Sequence, residues 1–307
     1  MKYDTAGDPI SGVKWSRRTT AKLAAELTAV GIDVSPNSVA KLLKMLDFRL
    51  RVNHKKLSLG SGPGRDQQFG YIAEQCQRFA QDGLPIISVD TKKRELVGAF
   101  KNPGTAWRRQ AVLVNDHDFR SQAHGVAIPY GIYDEQANRG SVFVGTSHDT
   151  SDFAVESIEK WWRFDGRRRY PQADQLLILA DAGGSNSPNR RAWRYALQTK
   201  LCDRHHLSVT VTHYPAGASK WNPIDHRLFS EISKNWAGEP LTSYETILNH
   251  IRTTKTTKGL RVKAYLVKKR YPRGVKISDH QMQQLALEKH EILPKLNYTV
   301  RPRENGE

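Results

Sequence analysis

The chain has 307 residues, enough for one large core or two smaller ones, and its 38% hydrophobic and 26% charged residues are an ordinary globular composition. Two cysteines, Cys76 and Cys202, exclude a disulfide framework; no stretch approaches the roughly 18 apolar residues of a membrane span, and "MKYDTAGDPISG" lacks the apolar core of a signal peptide. The expected compartment is therefore a reducing cytoplasm, and 48 Lys and Arg against 31 Asp and Glu, a net charge of +17, point to a polyanionic partner, nucleic acid before anionic membrane.

Residues 1–15 show no periodicity. From Thr19, "TTAKLAAELTAVG" puts Leu23, Ala24, Leu27 and Val30 on one helical face and closes at Gly31. After "GIDV", Ser35 caps a second helix with Pro36 at its first position, and Val39, Leu42, Leu43 and Leu46 turn inward. Two short helices around a glycine turn resemble a helix-turn-helix. The second helix then offers Asn37, Ser38, Lys41 and Lys44 for DNA binding, residue types that reach base edges and phosphates in a major groove, and the basic "RLRVNHKK" follows.

"LGSGPGRD" marks a boundary, and a helix from about Gln67 to Asp82 leads into "LPIISVDTKKRELVGAF", a buried strand ending on Asp90 and resuming after a charged bend. "AIPYGIYDEQANRGSVFVGTS" reads as two strands around a polar turn, and "TSDFAVESIEKWWRF" as an amphipathic helix with Phe153, Ile158, Trp161 and Trp162 inward. "QLLILADAGGSN" is an apolar strand that stops at Asp181. A helix near 189–201, the strand "LSVTVTHYP" and a helix in "WNPIDHRLFSEISKNW" complete the order. Three consecutive strands, then helix, strand, helix, strand and helix, predict a mixed α/β sheet flanked by helices. Between Ile251 and Lys276 stand ten Lys or Arg and no carboxylate, interleaved with Tyr265 and Tyr271, and Lys255, Lys258, Arg261 and Lys263 in this run are further DNA-binding candidates.

Three aspartates occupy comparable places: Asp90 in the first strand, Asp181 at the end of the fourth, and Asp225 in the first turn of the last helix. If the first and fourth strands pair, these ends converge. Phosphodiester chemistry accounts for such a cluster, because two divalent ions about 3.5–4 Å apart need bridging carboxylates. Each residue also has a plainer reading. Asp90 could pair with Lys92 or Lys93, Asp181 could start a turn, and Asp225 could favour its helix dipole while Asn222 caps and Pro223 leads. Against the cap stands the stripe Leu228, Phe229, Ile232 and Trp236, which puts Asp225 on the inward side, where a carboxylate needs a partner.

The segments "PIISVDTKKRELVGAFKN", "IPYGIYD", "HDTSDFAVESIEKWWR", "YPQADQLLILADAGGSN", "ASKWNPIDHRLFSEISKNW" and "YPRGVKISDHQM" resemble, in order, bacterial insertion-sequence transposases of the Azo type, relatives of the mariner-like transposases in the ribonuclease H-like, retroviral-integrase superfamily. The resemblance implies an α/β ribonuclease H-like fold with a mixed five-stranded sheet flanked by helices and a small N-terminal helix-turn-helix region. It also implies a catalytic triad binding two Mg²⁺ or Mn²⁺ ions, which falls on Asp90, Asp181 and Asp225. Its partners would be double-stranded DNA, both transposon terminal repeats and target, handled by a homodimer in the bacterial cytoplasm at the nucleoid, with no membrane involved. The implied reaction is hydrolysis at the element's end and in-line attack of the freed 3′-hydroxyl on target DNA. His148, Lys220, Asn222 and His226 flank the motifs as candidates for phosphate or scissile-strand contacts.

Two departures accompany the resemblance. The last acid, glutamate in much of the family, is aspartate here, and the family's members begin earlier. The expected layout is 1–60 a DNA-binding region shortened at its N-terminus, 61–84 linker and helix, 85–240 catalytic domain and 241–307 basic C-terminal extension. Two rivals remain: an inactive truncated transposase that represses by occupying DNA, and a ribonuclease H-like nuclease that stops at hydrolysis. "CDRHH" with His213 has no second pair at zinc-ligand spacing, and "DAGGSN" lacks the "GK[ST]" of a nucleotide loop.

Overall fold

Thr19 and Ser35 each open a helix through their side chains, accepting the N–H of Lys22 at 3.3 Å and of Ser38 at 3.1 Å. They belong to a computed structural model that describes residues 6–7, 14–15, 18–48, 64–218 and 221–303 and divides into two units, 1–57 and 58–307. In the first unit, β1 (Ala6–Gly7) pairs antiparallel with β2 (Lys14–Trp15), and α1 (Thr20–Ala29) and α2 (Pro36–Met45) follow. Leu23, Ala24 and Val39 form its small core, with Leu27, Val34 and Leu43 packed against them. Val30, Leu42 and Leu46, expected inward, are exposed. Two ten-residue helices share only one narrow seam, which covers part of each apolar face. Asn37, Ser38, Lys41 and Lys44 are exposed on α2.

The second unit is organised by apolar runs long enough to be buried on both faces. After α3 (Gly64–Gln81) come β3 (Ile86–Thr91), β4 (Glu95–Val97), β5 (Gly125–Asp134) and β6 (Arg139–Gly145). Helix α4 (Ser151–Trp161) is capped by Thr150 and runs through a π-turn at Trp162–Gly166 into α5 (Arg167–Arg169). Strand β7 (Gln175–Ala180) leads to α6 (Arg191–Ala196), a π-turn at Leu197–Cys202, α7 (Asp203–His205) and β8 (Ser208–His213). A π-turn at Asp225–Phe229 opens α8 (Ser230–Asn235), followed by α9 (Tyr244–Arg252), β9 (Arg261–Val267), α10 (Asp279–Gln283), β10 (Leu287–Lys289) and β11 (Asn297–Val300).

The main sheet has the order β10-β11-β8-β7-β3-β5-β6-β9, with β4 on β5. β3 pairs parallel with β7 and antiparallel with β5, so the first and fourth strands of the predicted core lie side by side. The central five, β6-β5-β3-β7-β8, are the ribonuclease H-like mixed sheet expected from the motifs. The sheet is larger than the five strands expected. Residues after 241 supply both edges: β9 runs parallel to β6, and β11 pairs antiparallel with β8. The basic residues of 251–276 hide β9 in the sequence, although Val262 and Ala264 are buried between exposed Arg261 and Lys263, a half-buried strand's alternation.

One face of the sheet packs Ile87, Val89, Tyr130, Ile178 and Val209 against Phe153, Ile158, Trp161 and Trp193 of α4 and α6. On the other, Ile86, Leu177 and Leu179 meet Ile72 and Phe79 of α3, while Tyr133, Val142 and Val144 meet Leu228, Ile232 and Trp236. No helix among the described residues is long and apolar enough to cross a membrane.

Candidate active site

Register brings the first two aspartates together. Val89 pairs with Ala180 across the parallel β3 and β7, so Asp90 and Asp181 are the next residues on neighbouring chains, about 5 Å apart by strand spacing. Alternation turns both toward the face that carries Ile86, Leu177 and Leu179, away from the face of Val89 and Ala180.

The helix bearing Asp225 reaches this face because two strand residues lack side chains. Gly131 lies opposite Asp90 on β5, and a Cβ there would overlap the Phe229 ring and press on Ile224; a Cβ on Gly140 would overlap Leu228. Ser88, two residues before Asp90 and on the same face, ties the start of that helix down. It is fully buried, donates to Asn222 Oδ1 and accepts the Ile224 N–H at 3.3 Å. Leu228, Phe229, Ile232 and Trp236 are buried as the stripe predicts. Asn222 does not cap. Its side chain, expected as a candidate for DNA contact, is fully buried and accepts from the Ser88 hydroxyl.

The electrostatics follow from burial without compensation. Burial raises Asp90 to about 8, helped by the charge of Asp181 and, more weakly, of Asp225 and Asp149; only the Thr91 N–H, at 2.7 Å, favours its ionised form. Burial and Asp225 raise Asp181 to about 6 against the pull of Asn222, whose Nδ2 makes no well-formed hydrogen bond. Burial raises Asp225 as well, opposed by His226. No hydrogen bond or ion pair among the described residues holds the Asp225 carboxylate. The neighbouring lysine does not rescue Asp90 either: Lys92 binds Glu95 at 2.9 Å and lies over the Trp236 ring.

An open cavity of about 360 Å³ adjoins Asp90 and Asp181, lined also by Thr91, Lys92, Lys93, Arg94, Asp149 and the pair Gly183 and Gly184. Asp149, unremarked in the sequence, accepts from Thr91 Oγ1 at 3.2 Å and lies 4.0 Å from Arg94. The loop after Asp181 is anchored by Ser151 Oγ to the Ser185 carbonyl at 2.7 Å and by Tyr130 OH to Asn186 Oδ1 at 3.0 Å.

As placed, no three His, Cys, Asp or Glu side chains among the described residues close into a ligand shell. The donor set nevertheless fits a hard divalent cation. Asp90, Asp181 and Asp225 offer oxygen alone, and each is disfavoured in the ionised form until positive charge arrives. Of the flanking candidates, His226 is exposed beside Asp225, His148 turns Nδ1 to the Tyr271 carbonyl at 3.1 Å, and Lys220 lies outside the described residues. Lys255, Lys258, Arg261 and Lys263 are exposed, but around the start of β9, at the other end of the sheet.

Two aspartates thus end the central parallel strands of the sheet, and a third lies on the helix that packs on the same face. The chain belongs to the Rhodopirellula transposase DDE domain family, whose model matches residues 1–302. A comparison with curated proteins finds no match. Among solved structures it is similar to the Mos1 transposase paired-end complex with left transposon end (16% identity, TM-score 0.43, covering 75% of this chain and 64% of that one) and to the Mos1 Strand Transfer Complex (16%, 0.43, 75% and 63%). It is similar also to the Mos1 mariner paired end complex with Mn (16%, 0.42, 75% and 64%). The chain thus spans less than two thirds of the length of the Mos1 chains it matches.

Proposed function

We propose that the protein hydrolyses phosphodiester bonds at transposon ends and transfers the freed strand into target DNA, with Asp90, Asp181 and Asp225 holding two Mg²⁺ or Mn²⁺ ions. The observation that carries this reading is the meeting of three acids with no internal cation on one face of a ribonuclease H-like sheet, in a chain of net charge +17. Bound ions would supply the Lewis acidity that activates a nucleophilic oxygen and stabilises charge on the phosphate.

The chain's own residues position the acids and the DNA. Ser88, Gly131 and Gly140 seat the helix that presents Asp225. Lys93 and Arg94 at the cavity attract the phosphate backbone, and His226 and Lys220, on either side of the third acid in the sequence, are further phosphate contacts. Asn37, Ser38, Lys41 and Lys44 of α2 read the element's ends, and two copies of the chain bring two ends together.

The test is cleavage and joining of labelled DNA carrying the element's ends, comparing the chain in Mg²⁺ with the chain in EDTA and with Asp225→Ala. Cleavage and joining that need Mg²⁺ and vanish in the variant are expected. Binding without cleavage would replace this reading with a repressor, and hydrolysis without joining would replace it with a nuclease.

A further inference from the structure

The strands β3, β6, β7, β8 and β9 all run in one direction, so the aspartates sit at their C-terminal end and the residues that open β6 and β9 at the opposite one. There the described residues build a basic concavity, an open groove of about 950 Å³. Six cationic side chains line it, Arg139, Arg169, Arg252, Lys255, Arg261 and Lys263, against one carboxylate, Asp165. They come from three stretches far apart in sequence: the start of β6, α5, and the segment that runs from the end of α9 through its loop into β9.

Three of the six are committed internally. Arg169 binds Asp134 at 2.6 Å, Lys263 binds Asp165, and Arg252 donates Nε and Nη2 to the Ala264 carbonyl at 3.2 and 3.1 Å. Arg139, Lys255 and Arg261 make no ion pair among the described residues; Lys255 and Arg261 are exposed and Arg139 is half-buried. The loop that carries Lys255 is ordered in advance. A bridge joins Lys255 to Arg261, the Gly259 N–H binds the Thr256 carbonyl at 3.0 Å, and Asn138 Nδ2 holds the Lys258 carbonyl at 2.9 Å. A preordered surface loses less entropy on binding. Basic side chains on an edge strand also deter strand pairing, but that role requires neither Arg139 on β6 nor the arginine turn of α5.

We infer that this groove is a second DNA surface, which takes the sugar-phosphate backbone of a duplex at the end of the sheet opposite the aspartates. The inference rests on the DNA reading above and adds that the duplex is gripped away from the acids, where phosphate meets uncompensated cations. Counterion release makes such a grip salt-dependent and indifferent to base sequence.

The experiment is fluorescence anisotropy of a labelled random-sequence duplex with the full chain in EDTA, across a salt series. It compares the unaltered protein with the pair Lys255→Gln and Arg261→Gln, and with Arg261→Lys. These side chains are exposed, so the fold survives their loss. The double variant is expected to bind about tenfold more weakly and to lower the log–log salt slope by about 2, one contact for each lost charge, while Arg261→Lys keeps the slope. An unchanged slope in the double variant, with the unaltered protein binding well, overturns the groove and leaves the proposed function standing. Failure of the unaltered protein to bind any duplex overturns both. Groove-dependent binding to phosphatidylserine vesicles, with DNA affinity untouched, would assign the surface to a membrane and overturn it too.

Discussion

Asp134 and Asp90 stand on neighbouring strands, both largely removed from water, and differ in what meets them. Asp134, fully buried at the end of β5, accepts from Arg169 at 2.6 Å, from the Tyr170 hydroxyl at 2.9 Å and from the Ala137 N–H at 3.1 Å. Asp90, at the other end of the sheet, has one N–H and the repulsion of three further acids. A buried carboxylate supplied with its own donors is a structural part. One left without them, beside others in the same condition, is a site whose neutralising charge comes from outside the chain. Asp134 is therefore neutralised from within the chain at one end of the sheet, and Asp90 is left open at the other.

The widest separation between the two ends comes from removing the acids. Asp90→Asn or Asp181→Asn is expected to lower Mg²⁺-dependent cleavage about 10³-fold, the scale of losing one electrostatic stabiliser of a transition state. The same substitutions should raise the melting temperature of the metal-free protein at pH 8, because they remove repulsion. A variant that loses both activity and stability would place Asp90 with Asp134 among the structural acids.

Next is the dependence on pH. Asp90 and Asp181 are raised from near 3.8 to about 8 and about 6, so above pH 4 the folded chain keeps protons that the unfolded chain has released. Their contribution to stability is complete below the unfolded value and is lost as pH rises through about 6 and then about 8. Glu156 carries the opposite sign. Burial pushes it up, but hydrogen bonds from Lys200, Lys269 and Tyr271 outweigh burial and bring it to about 2, so its contribution is lost only in acid. Melting curves in EDTA should therefore fall between pH 5 and pH 8 and recover with Mg²⁺; in Asp90→Asn the fall should be shallower, with the part owed to Asp181 and to Glu135, which burial raises to about 7, remaining. A fall as steep in Asp90→Asn as in the unaltered protein would assign it to other groups.

Which parts of this site the sequence discloses follows from what a pattern can carry. Asp90 and Asp181 are visible because apolar runs end on them, and a mixed sheet puts such ends together. Asp225 stays ambiguous in the sequence, since a cap and a ligand share the first turn of a helix; the helix seats it beside the strands instead. Ser88 hides inside "PIISVD" as one more buried strand residue, and Gly131 inside "IPYGIYD", because their roles depend on which helix lies above them. Asp149 follows a strand and precedes a cap, with no periodicity to mark it, and β9 is masked by its own lysines and arginines.

Smaller effects test the seating of Asp225. Gly131→Ala forces a methyl group against Phe229 and should cost about 1–3 kcal/mol. Ser88→Ala strands the Ile224 N–H and the Asn222 amide and should cost about 1–3 kcal/mol. Loss of fold alone would lower activity at every metal concentration. Displacement of the third acid should instead raise the Mg²⁺ concentration needed for half-maximal cleavage, and a titration that leaves this midpoint unmoved would make Ser88 and Gly131 packing residues only.

The smallest effect belongs to Tyr170→Phe, beside Asp134. It removes one of three donors to Asp134 and leaves Arg169 in place, so about 1–2 kcal/mol of stability should go. The loss should be the same in Mg²⁺ and in EDTA, since a carboxylate still paired with a guanidinium has no call on a divalent ion. If Mg²⁺ restored the melting temperature of this variant, Asp134 would be open to cations as well, and the two aspartates would differ in degree rather than in kind.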